Sequence, residues 1–196
     1  MSVVAKNKAG SQKIFNVPNQ LTALRLLLSV VLFVLIALEY FLGAALVFSV
    51  AAGTDWLDGY WARKYGQVTN LGRILDPFVD KIVICGTFIF LVAVPASGVR
   101  AWMAVVIVGR ELLVTALRSY LEGEGADFSA SMSGKLKMVL QCLAAILSLL
   151  ALAQSGPRPE MLDQALLTSL WGAVALTVYS GAIYVQRAIS LLRQVG

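Results

Sequence analysis

The sequence predicts an all-α integral membrane domain of six transmembrane helices with both termini on the cytoplasmic side. Three observations carry that expectation. Hydrophobic residues make up 59% of the 196-residue chain, charged residues only 14%, and the mean hydropathy is +0.79. A soluble globular domain does not have this balance. Apolar stretches long enough to cross a bilayer recur along the chain, separated by short polar or Pro/Gly-bearing segments. Basic residues gather at one set of stretch ends.

Residues 1–15 are polar and basic, with Lys6, Lys8 and Lys13. They form a cytoplasmic tail that either lies on an anionic membrane face or is disordered. Residues 16–196 are expected as one membrane domain. Pro18 and Asn19 punctuate the start of a first span over about 21–38. Its Arg25 lies near the cytoplasmic end, where it either snorkels or faces the site. A second span covers about 42–63. At about 1.5 Å per residue it exceeds a ~30 Å hydrocarbon core, so its Asp-bearing end emerges towards water.

Four further spans are expected at about 71–94, 101–121, 135–153 and 166–189, with short turns at 95–98 and 155–159. The first apolar run follows a polar segment and is long enough to span, so no cleavable signal peptide is expected. Six spans put both termini on one side. With that side cytoplasmic, Arg100 and Arg158 are the basic residues at the outer ends, and the other fourteen of the sixteen lie at or near the inner ends. This is the distribution that the positive-inside rule requires.

Cys85 and Cys142 sit in apolar helical runs without metal-ligand spacing and read as packing residues. There is no histidine. Any phosphoryl chemistry must therefore run on carboxylates, Arg, Lys and metal.

The stretch from Asp55 to Asp80 places four carboxylates in this apolar chain. Asp55 and Asp58 are three residues apart, and Asp76 and Asp80 four apart, so on helices each pair shares a face. K-Y-G-Q-V-T-N between them reads as a turn. In an antiparallel helical hairpin Asp58 comes level with Asp76, and Asp55 with Asp80, so all four converge at similar depth. A charged Asp at the centre of a membrane helix costs roughly 2.5–3.5 kcal/mol, and four repel one another. Hard divalent cations remedy this, since oxygen ligands suit Mg²⁺, Mn²⁺ or Ca²⁺. One or two such ions, two being the expected number, would share the work with a substrate phosphate. The competing reading makes the four solvated helix ends, or partners of Arg63, Arg73 and Lys81; it leaves their mirrored placement without a cause.

A second constellation points to an anionic substrate. V-G-R-E-L-L-V-T-A-L-R supplies Arg110, Glu111 and Arg118, and S-G-K-L-K supplies Lys135 and Lys137. Arg110 and Arg118 are eight apart, about two turns, and share a face. Arg110 lies in the interior half of its span, where an unpaired charge is expensive. A neighbour in sequence faces it poorly, so another helix or a ligand is the expected partner. Lys137 reads as a surface charge. Trp56, Tyr60, Trp61 and Tyr65 read as interfacial anchors, and Glu122, Glu124 and Asp127 as a solvated loop.

The spacing D-x2-D-G-x2-A-R-x8-G-x3-D-x3-D is met in full by Asp55, Asp58, Gly59, Ala62, Arg63, Gly72, Asp76 and Asp80. It resembles the signature of the CDP-alcohol phosphotransferase family. That resemblance implies transfer of a phosphatidyl or similar group from a CDP-linked donor to an alcohol, with release of CMP. It implies metal at Asp55, Asp58 and Asp76 with Asp80 near it, and Asp80 as general base. Gly59, Ala62, Arg63 and Gly72 would line the CDP site, with Arg63 on the pyrophosphate. It also implies a homodimer in the bacterial cytoplasmic membrane, its site facing the cytoplasm; no nucleic-acid partner is expected.

The runs N-V-P-N-Q-L-T-A-L-R, G-R-E-L-L-V-T-A-L-R and S-G-K-L-K-M-V-L-Q extend the resemblance from Asn16 to about Leu143. They are similar to the bacterial branch that takes CDP-diacylglycerol as donor and sn-glycerol 3-phosphate as acceptor. Arg110, Arg118 and Lys135 suit that acceptor's phosphate. Met138 stands where a Thr is more usual, and the last span carries no diagnostic residue. The alternatives are a branch using phosphatidylglycerol as acceptor, then one using an inositol phosphate, and, from another class, a divalent-cation- or proton-coupled transporter, since intramembrane carboxylates also mark ion pathways.

Overall fold

A computed structural model describes the backbone of residues 17–65, 70–123 and 132–195, and the side chains of 20, 22–54, 78–121, 123 and 134–191. Within them the chain is all-helical: α1 (Val17–Ala37), α2 (Phe41–Tyr65), α3 (Asn70–Val92), α4 (Ala101–Gly123), α5 (Met132–Leu152) and α6 (Glu160–Val195). Each expected span coincides with one helix. The clearest difference is α6, which begins six residues before its expected span and ends six after it. Glu160 and Asp163 in its first turn complement the helix dipole and let the helix start before the apolar run.

The helices follow one another around the bundle in the order α1, α2, α5, α6, α4, α3 and back to α1, with α3 also touching α5 across the middle. The helices α2 and α3, adjacent in sequence, touch each other only slightly. Helix α1 packs on both, and the side chains of residues 55–77, which bear all of the expected carboxylate hairpin but Asp80, lie outside the described ones.

The packing is apolar outside and mixed inside. Helix α1 buries Thr22, Arg25, Ser29, Leu32 and Ile36, spaced three or four apart, and turns Leu27, Val30 and Val34 outward. Helix α5 buries Lys137, Gln141, Ala144, Ala145 and Ser148 and exposes Leu136, Val139 and Leu143. In water this would be inside out; in lipid it is the economical arrangement, because the solvent is apolar and polar groups are better kept inside the bundle, as Gln141 is by its bond to Thr177. Among the described residues, 134–152 and 160–191 are long and apolar enough to cross a membrane, and 22–37 and 41–54 are shorter apolar helical segments.

At one end of the bundle the connections are tied together. The Ser97 hydroxyl donates to the Leu91 carbonyl at 2.7 Å, Ser148 donates to the Ser97 carbonyl at 2.7 Å, and Arg158 donates to the Ala96 carbonyl at 2.9 Å. The turn needs φ of +77° at Gly98, which glycine adopts without strain.

Close approach of α1 and α3 depends on Gly86. Phe33 of α1 stacks on Phe90 of α3 with centroids 4.9 Å apart, and a Cβ on Gly86 would stand 2.2 Å from Phe33 Cζ. Gly86→Ala is therefore expected to cost about 1–3 kcal/mol through overpacking. A lowered thermal midpoint in detergent checks this; an unshifted midpoint would mean that Phe33 swings aside freely.

Candidate active site: two buried charge clusters joined by one helix

Two sets of ionisable side chains are held inside the bundle. In the first, Arg25 of α1 donates from Nη1 to Asp80 Oδ1 of α3. Arg25 is 2% exposed, whereas the Asp80 side chain keeps 28% of its surface open. They border a cavity with Ala51, Ala52, Val83, Ile84, Met138 and Cys142, contributed by α1, α2, α3 and α5. Ala51 and Ala52 stand about one turn before Asp55 on α2, so in helix register the cavity adjoins the carboxylate stretch. Of the two expected positions for Arg25, the structure takes the one facing inward.

In the second cluster, Glu111 of α4 holds two cations on one oxygen. Lys137 of α5 donates to Glu111 Oε1, and Arg110 Nη1 donates to the same atom at 3.3 Å. Two sequence expectations change here. Arg110 does pair with its neighbour in sequence, its Nη1 reaching the same Glu111 oxygen that Lys137 reaches from α5. Lys137 is not a surface charge; at 4% exposure it is buried, and its carboxylate partner is what makes that burial tolerable. Lys135, one face round on α5, is exposed.

The Arg110 guanidinium has three environments. Nη1 meets Glu111; the Tyr184 ring of α6 lies 5.2 Å from Cζ; Nε and Nη2 are buried with no hydrogen-bond partner among the described residues. Nε and Nη2 lie on one edge of the planar group, the edge that grips a carboxylate or phosphate with two parallel bonds. Arg118, about two turns further along α4, also has a buried Nε without such a partner. The Tyr184 contact escaped the sequence reading, since one tyrosine in an apolar span gives no local sign of what it faces.

One turn of α5 joins the clusters: Lys137 pairs with Glu111 while Met138 lines the Asp80 cavity. The residue departing from the usual Thr thus borders the first cluster. Asp55, Asp58, Gly59, Ala62, Arg63, Gly72 and Asp76 fall on helical backbone in α2 and α3, but their side chains lie outside the described ones. Consequently, among the described residues no three carboxylate or thiol ligands come together.

Ion pairs enclosed in an all-helical bundle with an apolar exterior place this chain among membrane-associated helical proteins. A family model described as CDP-alcohol phosphatidyltransferase matches residues 15–179, and the chain belongs to that family. Curated relatives agree. The chain is 37% identical over 190 residues to a Bacillus subtilis protein named CDP-diacylglycerol–glycerol-3-phosphate 3-phosphatidyltransferase, covering 87% of this chain and 93% of that one. A Rickettsia typhi protein of the same name is 36% identical over 173 residues, covering 86% and 94%. A Mycobacterium tuberculosis protein named probable phosphatidylglycerophosphate synthase is 38% identical over 196 residues, covering 96% and 87%.

Proposed function

We propose that this chain transfers the phosphatidyl group of CDP-diacylglycerol to sn-glycerol 3-phosphate, giving phosphatidylglycerophosphate and CMP. The observation that carries the acceptor half is the buried Nε–Nη2 edge of Arg110, a ready grip for a phosphate dianion. The names of the relatives and the full match to the Asp55–Asp80 spacing support the donor half.

All six helices cross the bacterial inner membrane in this proposal, with residues 1–15 a basic tail, 16–196 the membrane domain and both termini cytoplasmic. The placement of basic residues supports that orientation. The working unit is a homodimer, as the family resemblance implies.

The acceptor hydroxyl attacks the phosphorus bonded to the diacylglycerol oxygen, in line with the leaving CMP. A new P–O bond forms as the P–O bond to CMP breaks. An alcohol is a weak nucleophile at neutral pH, so a carboxylate must take its proton as attack proceeds, and Asp80 is a partly open carboxylate beside the donor stretch. Arg25 beside it fixes its orientation. Arg63, with Gly59, Ala62 and Gly72, receives the CDP moiety. Arg110 and Arg118 hold the acceptor phosphate, with Lys137 and Glu111 setting the position of Arg110; Lys135, exposed on the other side of α5, is left out of that grip. The donor set Asp55, Asp58, Asp76 and Asp80 is all carboxylate oxygen on two helices, which fits Mg²⁺ or Mn²⁺. When bound, such ions offset charge on the phosphoryl oxygens and the departing phosphate.

Purified protein supplied with CDP-diacylglycerol is expected to release CMP with sn-glycerol 3-phosphate far faster than with phosphatidylglycerol or an inositol phosphate. Excess chelator should silence it until Mg²⁺ or Mn²⁺ returns, and Asp58→Asn and Asp76→Asn should each nearly abolish transfer. Full activity in chelator would remove the metal from this scheme, and absence of CMP release would favour a transporter.

A further inference from the structure

Arg110 of α4 lies against two residues of α6, the helix in which the sequence offered no functional signal. Its Cζ stands 5.2 Å from the centroid of the Tyr184 ring. On the same helix, a Cβ added at Gly181 would come 3.2 Å from Arg110 Cγ. Gly181 and Tyr184 are three residues apart and so share one face of α6. The bare backbone at Gly181 admits the stem of the arginine, and the ring at Tyr184 covers the guanidinium. Tyr184 is itself fixed: it is 3% exposed and packs with Val114, Leu121 and Ala188. With Glu111 taking Nη1, the side chain is held at its stem, one face and one corner, and its Nε–Nη2 edge is left over.

An arginine has many rotamers to lose on gripping a ligand, and a side chain already fixed loses fewer. The attraction of the ring face also adds to the fixation, because a desolvated cation over an aromatic ring is favoured electrostatically. We propose that Tyr184 and Gly181 are positioning residues for the acceptor: they aim the Nε–Nη2 edge of Arg110 at the acceptor's phosphate, and so set its affinity and the preference for a phosphorylated acceptor. This rests on the acceptor site proposed above.

The test is steady-state kinetics of the full chain in detergent with CDP-diacylglycerol and Mg²⁺, varying each substrate separately, with Arg110→Ala as reference. Tyr184→Phe keeps the ring and should stay within about twofold of the parent, whereas Tyr184→Leu should raise the acceptor KM about five- to tenfold, the scale of a desolvated cation–ring contact. Gly181→Ala should raise the acceptor KM too, by about two- to fivefold, because a few tenths of an ångström misplace a two-pronged grip. In all three the donor KM and the turnover at saturating acceptor should hold, which a general loss of packing would not allow.

If Tyr184→Leu fails to fold, Gly181→Ala, which leaves the ring in place, decides. An unchanged acceptor KM in the foldable variants, alongside a raised one in Arg110→Ala, overturns the role of α6 and leaves the acceptor site standing. Loss in Tyr184→Phe equal to that in Tyr184→Leu also overturns it, since the ring face would then not matter. An unchanged KM in Arg110→Ala overturns both.

Discussion

Asp80→Asn is expected to lower turnover by about 10²–10⁴-fold, the usual contribution of a positioned general base, with little change in the donor's KM. Asparagine is the informative substitution. It keeps the shape of the side chain and an oxygen for the Arg25 Nη1 donor, while removing the negative charge that the proposed mechanism uses to accept the acceptor's proton. Asp80→Ala confuses two effects, because it also removes the acceptor of the Arg25 Nη1 donor, on a side chain that is 2% exposed. Breaking a buried pair from one side typically costs about 3–5 kcal/mol, whereas removing both charges is often close to neutral. The double variant Asp80→Asn with Arg25→Met should therefore recover the thermal midpoint that Asp80→Ala loses, and recover no activity. Turnover, donor affinity and thermal unfolding in detergent together separate the roles. A large loss of donor binding with turnover intact at saturation would make Asp80 chiefly a binding ligand.

Both members of that pair were visible in the sequence, but the pairing was not. Arg25 and Asp80 are fifty-five positions apart, and Lys137 and Glu111 twenty-six. Periodicity says which face of a helix a residue occupies; it does not say which helix that face meets. The helices themselves were legible because an apolar run of fixed length bounded by Pro, Gly or charge has few other outcomes. The face was legible in principle too. Lys137 stands in register with Gln141, Ala144, Ala145 and Ser148, small or polar residues recurring every three or four positions, and all of them are buried. Lys135 is two positions earlier, on nearly the opposite side of the helix, and is exposed. In a lipid-facing bundle the polar stripe marks the inside, so that stripe could have told the two lysines apart. Tyr184 had no such marker, being one apolar-bodied residue in an apolar helix whose contact is with a charge seventy-four positions away.

Arg110→Ala is expected to raise the KM for sn-glycerol 3-phosphate by at least about 100-fold, since two hydrogen bonds to a charged group are each worth roughly 1.5–3 kcal/mol and about 1.4 kcal/mol is tenfold. The donor's KM should change much less, because the proposed mechanism assigns the donor to the Asp55–Asp80 stretch, which does not include Arg110. The variant should fold. Glu111 keeps Lys137 as its partner when Arg110 is gone, so no buried carboxylate is orphaned. Arg110→Lys should be intermediate: an ammonium restores the charge but cannot present the Nε–Nη2 edge, and it lacks the flat face that lies over Tyr184. Glycerol without the phosphate should be a poor acceptor for the parent protein, and Arg110→Ala should narrow the gap between the two acceptors by penalising only the phosphorylated one. Initial rates of CMP release against each substrate are the measurement. If Arg110→Ala leaves the acceptor KM where it was, or if phosphatidylglycerol proves the better acceptor, the acceptor assignment moves to another branch of the family. The donor chemistry at Asp55–Asp80 does not depend on that outcome, because it draws on a different cluster of residues.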